Sequence, residues 1–325
     1  YVHRTDKKIL FIWGPRRSGK TTLLKKLKQK YSVPIFNFDL LSDRQKFVPD
    51  RDVLRKLAQE HKILLIDEVQ NSPESTIALK ILYDEFDVKV IATGSSELRQ
   101  KSAKEFDSLA GRFVDTYCLP LSINEIEKHD QPKEYEKAEY YQKLANTLQN
   151  FGCYPEVHDS DLSEKEKIEL LENIVETYVL KDVIDIYNLK NVKLAHDILR
   201  KIALQLGSEV SMREIANSLQ ANVQTVSNYI EIFIKNYILI PLPSFKTNIR
   251  KSVSENRKLY FYDLGVRNAL VRDFRDLNFR PDTGGLWENF IVSELEKMKR
   301  NHNIKITMYF YREYGGQEVD IVIED

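Results

Sequence analysis

The sequence predicts an α/β fold for its first third, a parallel sheet covered by helices, and three observations predict it. Five short apolar runs recur: KKILFIWG, PIFNFDL, KILLIDEV, KVIATGS and DTYCLPL. Amphipathic patterns, TTLLKKLKQKY, DVLRKLAQEH and STIALKILYDEF, lie between most of them. Apolar runs separated by helices describe parallel strands buried on both faces. The third observation is the passage from the first run to the first helix, where GPRRSGKT replaces an ordinary turn.

The chain has 325 residues, room for two or three domains of about 100–200 residues each. It is 42% hydrophobic with few glycines and prolines, which excludes disordered and fibrous classes. Lys plus Arg and Asp plus Glu each number 49, so a whole-chain basic footprint for nucleic acid is absent and only a local one stays open. Cys118 and Cys153 lack metal-ligand spacing and are expected to be reduced and buried, which points to a cytoplasmic protein. No apolar run approaches the roughly 18 residues of a membrane span, and no leader is visible. The chain starts at Tyr1 and stops inside an apparent strand, so a fragment is expected at both ends.

Gly14, Pro15, Arg16, Arg17, Ser18, Gly19, Lys20 and Thr21 match G-x-x-x-x-G-K-[ST], and Thr22 continues into the helix. The glycines let backbone amides turn inward around phosphate oxygens, and the helix N-terminus adds its dipole. Lys20 is expected on the β- and γ-phosphates and Thr21 on Mg2+. The run ILLIDE ends in Asp67, expected beside the metal, and Glu68, expected to accept the proton of the attacking water. KVIATGSS ends in Thr93, Ser95 and Ser96; Ser95 is the weakly preferred sensor of the γ-phosphate, against plain helix capping. Arg112, after Leu109-Ala-Gly, is placed either as an arginine finger, in cis or from a neighbouring subunit, or as a surface ion pair.

GPRRSGKTTLL, ILLIDEVQ, IATGSSELR, LAGR and LPLSINE, in this order, resemble the AAA-type P-loop ATPases of bacteria and archaea. FGCYPEV, YVLKDVIDIY, LYFYDLGVRNAL, GLWENFIVSEL and YREYGGQEVDIVI are similar to the second half of that family, a region of unknown function with a nuclease-like fold. The resemblance implies ATP over GTP, and no N-K-x-D base-reading motif appears. It also implies an additional-strand core, with the sensor strand between the loop strand and the Asp67 strand.

Beyond a core at 1–125, a helical lid is expected over 126–192, a winged-helix domain over 193–260 and a truncated nuclease-like domain over 261–325. Ser211 with Glu214 reads as a capping box, and the next helix is expected to bury Val223, Val226, Ile230 and Phe233. Residues 193–258 hold ten Lys or Arg against five Asp or Glu, a local basic excess of the kind DNA binding uses. The candidate recognition helix offers Asn222, Gln224, Thr225, Ser227 and Asn228 but no arginine, so an architectural role is the plainer expectation. Glu288 and Asp320 resemble two acids of a PD-(D/E)xK nuclease core, and the E-x-K is not in the chain; structural hydrogen bonds are the favoured role for both. The leading expectation is an Mg2+-dependent ATPase moving its C-terminal domains, acting alone or as an oligomer. Beside it stand a nucleotide-gated DNA-binding or signalling switch with slow hydrolysis and, third, an ATP-regulated nuclease. A protein partner also stays open.

Overall fold

The computed structural model describes residues 7–95, 104–158, 161–182, 191–245, 257–313 and 317–325. Ser96, most of the basic loop from Lys246, the Tyr314-Gly-Gly turn and residues 183–190 of the acidic helical region lie outside the described residues. Two compact units divide the chain, Tyr1–Leu119 and Pro120–Asp325.

The first unit is built on a five-stranded parallel sheet. β1 is Ile9–Trp13, β2 Ile35–Asn37, β3 Ile63–Asp67, β4 Lys89–Gly94 and β5 Phe113–Tyr117. Their spatial order is β2-β3-β4-β1-β5, with Leu10 in register with Ile91 on one side and Val114 on the other. All five expected strands form, and β4 lies between β1 and β3, the arrangement the resemblance implied. Every residue of β1 is buried because the strand is central and covered on both faces. Leu10 and Ile12 join Leu24, Leu65 and Ile91 on one face. Phe11 on the other stacks on Trp13 at 5.2 Å and meets Phe113 edge-on at 5.7 Å. Each such side chain contributes roughly 1.5–3 kcal/mol by leaving water. The helices α1 (Lys20–Tyr31), α2 (Leu41–Arg44), α3 (Arg51–Glu60) and α4 (Thr76–Glu85) connect the strands.

The second unit opens with α5 (Ile123–Asp130), α6 (Lys137–Phe151) and α7 (Glu164–Ile174). α7 widens into π-helical turns over Val175–Asp182. Among its described residues the unit has two complete capping boxes, Ser122 with Glu125 and Ser163 with Glu166; both match the S-x-x-E signature, and sequence reasoning passed over them. Then follow α8 (Val192–Leu204), β6 (Glu209–Val210), α9 (Met212–Ser218), α10 (Val223–Lys235), β7 (Leu239–Pro243) and β8 (Arg257–Phe261). β8 pairs antiparallel with both β6 and β7. Ser211 caps α9 by accepting from the Glu214 amide at 3.3 Å. Val226, Tyr229, Ile230 and Phe233 form the buried stripe of α10. Val223, expected in that stripe, is 41% exposed, because it sits at the first helical position, where the stripe has not yet turned inward. One apolar cluster includes Phe151, Leu171, Tyr178, Ile198, Ile230 and Leu270, side chains from both sides of residue 192. The chain continues through α11 (Leu264–Val271), α12 (Thr283–His302) and the antiparallel pair β9 (Thr307–Arg312) and β10 (Glu318–Glu324).

Cys153 is buried as expected, whereas Cys118 is only half-buried; both are free thiols. Among the described residues, no helix is long and apolar enough to cross a membrane.

Asp263 pins the second unit internally, accepting from the Cys153 amide at 2.6 Å and the Val266 amide at 3.1 Å. Gly152 leaves room for it: φ is +76°, and a Cβ there would lie 2.1 Å from the Asp263 carboxylate. Gly152→Ala is therefore expected to cost at least about 2 kcal/mol from backbone strain and overpacking, measurable as a lower urea midpoint.

Candidate nucleotide site

The loop after β1 has the shape its motif requires. A Cβ on Gly14 would lie 1.9 Å from the Cys118 carbonyl oxygen, so only glycine lets β1 and the strand beside it come this close. Gly19, at φ +101°, supplies the turn that starts α1. Arg17 takes a left-handed conformation at φ +62° at the exposed tip. Ser18 donates to the Pro15 carbonyl at 2.9 Å, and the Cys118 thiol donates to the Ser18 carbonyl at 3.2 Å. Thr22 is exposed on the first turn of α1.

Lys20 is 5% exposed and donates to the Gly14 and Pro15 carbonyls at 2.9 and 2.6 Å. Burial pulls its ammonium below the ordinary lysine value, opposed mainly by Glu68 and then by Cys118 and Asp67. A buried ammonium satisfied by neutral carbonyls would bond anionic oxygens more strongly, because they are stronger acceptors.

Asp67 is the centre of the second half. Its Oδ2 accepts from the Thr21 hydroxyl at 2.9 Å, and its Oδ1 from the Thr93 hydroxyl at 2.5 Å and the Glu68 amide at 3.1 Å. Thr21 and Asp67 together present a hydroxyl and a carboxylate oxygen, the hard donors Mg2+ prefers when phosphates and waters complete its shell. These residues fit the metal.

Glu68 takes a left-handed conformation, φ +55°, where the chain leaves β3. Gln70 donates from Nε2 to the Glu68 carboxylate, and also to Ser95 Oγ at 3.0 Å. The Ser95 amide returns a bond to Gln70 Oε1 at 3.2 Å, and the Ser95 hydroxyl reaches Glu68 at 3.5 Å. Gln70 is 1% exposed, and Gly94 makes space for it, since a Cβ there would meet Gln70 Oε1 at 2.7 Å. Sequence reasoning missed Gln70. The only signal was a polar residue two positions after Glu68, and its pairing with β4 is tertiary. Thr93, weighed beside Ser95 but not preferred, holds Asp67 instead.

Arg112 is not brought to this site. Its carbonyl accepts from the Ile9 amide at 2.9 Å, at the start of β1, whereas the loop leaves the far end at Trp13. Four steps at about 3.3 Å put roughly 13 Å of strand between them. Its guanidinium bonds Asp84 at 2.8 Å. This corrects the cis-finger expectation: the parallel register of β5 with β1 carries residue 112 to the opposite end of the strands.

The downstream acids meet a cation of the chain itself. Lys258, on β8 and 2% exposed, lies 2.9 Å from Glu288, 2.6 Å from Glu318 and 3.6 Å from Asp320. Tyr260 donates to Glu288 as well. Burial opposes the charge on Lys258, but its bonds to Glu318 and Glu288 outweigh this and hold the ammonium above the ordinary lysine value. Beside the cluster is a cleft of about 560 Å3 lined by Trp287, Glu288, Ile291, Asp320 and Ile321. An ammonium already occupies the space among these carboxylates. Among the described residues, no group of three or more His, Cys, Asp or Glu is arranged to hold a metal. Lys258→Met is expected to lower the stability of this unit by about 2 kcal/mol, since carboxylates lose their counter-charge. Asp320→Ala, more distant and 65% exposed, is expected to change it by less than about 0.5 kcal/mol. Chemical denaturation of the two variants checks both values.

Residues 6–127 match the family model described as an AAA domain. That match takes in nearly all of the first unit. Residues 142–279 and 283–325 each match a domain of unknown function. Two uncharacterized proteins of Methanocaldococcus jannaschii are similar to the chain. One is 29% identical, over 97% of this chain and 72% of its own length. The other is 24% identical, over 83% of this chain and 64% of its own. A solved structure, the Walker-type ATPase of Pyrococcus abyssi, superposes with a TM-score of 0.49 at 16% identity, over 81% of this chain and 91% of that one.

Proposed function

We propose that the AAA domain binds and hydrolyses ATP with Mg2+, and that hydrolysis is gated at Glu68. The observation that carries the reading is the Thr21–Asp67 bond beside the buried Lys20 at the ends of β1 and β3. Mg2+ would supply charge neutralisation at the β- and γ-phosphates. Lys20 binds those phosphates, Thr21 and Asp67 orient the metal, and the loop amides fix the nucleotide in line. Ser95 reads the γ-phosphate through its contacts with Gln70 and Glu68.

Glu68 is the base, and in this arrangement Gln70 and Ser95 hold it. A carboxylate bonded to a neighbouring amide has an oxygen already engaged and must release it to meet an incoming water. That observation also favours the slow-switch reading, in which release of Glu68 sets the rate. Gln70→Leu keeps the side chain's size and removes its donors. It is expected to raise basal phosphate release about three- to tenfold without tightening ATP binding. Loss of release in that variant would mean that Gln70 positions Glu68 productively.

Arg112 serves this reading only from a neighbouring copy, where it would have to exchange Asp84 for a phosphate. The segment from α8 to β8 supports a winged-helix assignment by its helix pair and three antiparallel strands. On α10 the exposed polar row is internally bonded. Asn222 caps the Gln224 amide at 2.8 Å, and Gln224 donates to Asn228 at 2.9 Å. Fewer of these groups are left for base edges, which favours a scaffold role over sequence reading. Phosphate release with and without double-stranded DNA tests this: a scaffold leaves the rate unchanged, and stimulation would restore DNA as a partner. The Lys258 cluster favours a structural role for Glu288 and Asp320 over nuclease chemistry.

A further inference from the structure

The AAA domain carries a second concave feature, beyond β2. Leu41, Arg44, Val48, Ser72, Glu74 and Ile77 line a groove of about 350 Å3. Its rim is apolar and open to solvent: Leu41 is 62% exposed, and Val48 and Ile77 are each 39% exposed. Arg44, half-buried in its wall, has Nε shielded from water without an acceptor. Among the described residues, the Arg44 guanidinium makes no hydrogen bond or ion pair; only its backbone amide is engaged, donating to the Leu40 carbonyl at 3.1 Å. Neighbouring charges are already engaged: Lys46 pairs with Asp43 at 3.0 Å, and Glu74 accepts from the Ser72 hydroxyl at 2.8 Å.

A guanidinium always carries its charge and presents its donors in a fixed fork that matches a carboxylate. Exposed aliphatic side chains around one unmet guanidinium ask for one kind of partner. We infer that this groove docks a segment of a partner protein that carries a carboxylate next to a large apolar side chain. The apolar rim fits an aliphatic or aromatic anchor, and Arg44 fixes its register. A phosphate backbone suits it less, because nucleic-acid binding uses several cations and Arg44 is the one cation among the residues that line the groove.

The groove is wired to the nucleotide site. Asn71 donates to Asp39 at 2.6 Å, joining the segment before α2 to the turn that follows Glu68. Ser72 and Glu74, in the groove wall, lie two and four residues after Gln70, which holds Glu68. A docked segment that shifts residues 72–74 therefore moves the Gln70 latch and changes turnover. The docking stands independently of the ATPase reading; only its effect on turnover rests on that reading.

Fluorescence anisotropy with the full chain tests the docking. The probe is a labelled 12-residue amphipathic helical peptide with Glu one turn before Leu and Phe; its twin carries Lys in place of Glu. The acidic peptide is expected to bind saturably. Arg44→Glu is expected to weaken it at least about tenfold and to gain affinity for the Lys peptide. Leu41→Ala, at an exposed position, weakens both pairings. Failure of the acidic peptide to bind, or equal binding to Arg44→Glu, overturns the proposal. Self-association removed by Leu41→Glu, without peptide binding, would assign the groove to a second copy and also overturn it. Saturating peptide that leaves phosphate release unchanged would overturn the coupling and leave the docking intact.

Discussion

Lys20→Ala is expected to weaken Mg-ATP binding roughly 10- to 150-fold and to bring phosphate release down to background. The ammonium is buried and donates to two carbonyls of its own loop. A charge-assisted bond of this kind contributes about 1.5–3 kcal/mol, which sets the affinity range. The loss in turnover is larger than the loss in binding, because charge on the transferring phosphoryl group grows toward the transition state. The fold should survive. Removing Lys20 removes a desolvated charge, and the Gly14 and Pro15 carbonyls can turn to water. Equilibrium binding of a fluorescent ATP analogue, with circular dichroism as a control, checks both halves. Unchanged affinity would mean that the phosphates bind elsewhere.

Glu68→Gln should have the opposite signature. ATP affinity is expected to stay within about threefold of the parent, because in the proposed site Asp67 and Thr21, not Glu68, would hold the metal. Turnover is expected to fall about 10²- to 10⁴-fold, the usual contribution of a positioned general base. The amide that replaces the carboxylate can still bond Gln70 and Ser95, so the local packing is kept. A rate that barely changes would remove Glu68 from the chemistry. The AAA domain would then be a nucleotide-held switch, in which bound ATP rather than its hydrolysis carries the message.

The two proposals differ in how much of their geometry was legible in the sequence. The loop from Gly14 to Thr21 is contiguous, and each residue type has a local reason to be there, so spacing alone located it. Asp67 was legible because a strand end beside such a loop has few other uses. The five strands followed from apolar runs, and the place of β4 between β1 and β3 from the family resemblance. Gln70 was not legible, because its role depends on β4 lying beside β3 and on Gly94 leaving it room. Arg112 was misplaced for a related reason: its distance from the loop in sequence says nothing of which end of the sheet it reaches. Lys258 stands 30 residues before Glu288, and no spacing rule links a β8 lysine to acids on α12 and β10. Val223 shows the limit of periodicity at a helix end, where the apolar stripe starts before the helix faces the core.

The most direct test of the nucleotide site is single-turnover phosphate release, with protein in excess over γ-labelled ATP and Mg2+. The parent chain is expected to release phosphate in a single exponential that disappears in Lys20→Ala and slows at least about a hundredfold in Glu68→Gln. Release by the parent no faster than by Lys20→Ala would contradict the assignment of Gly14–Thr21 and Asp67 as an ATP-hydrolysing site.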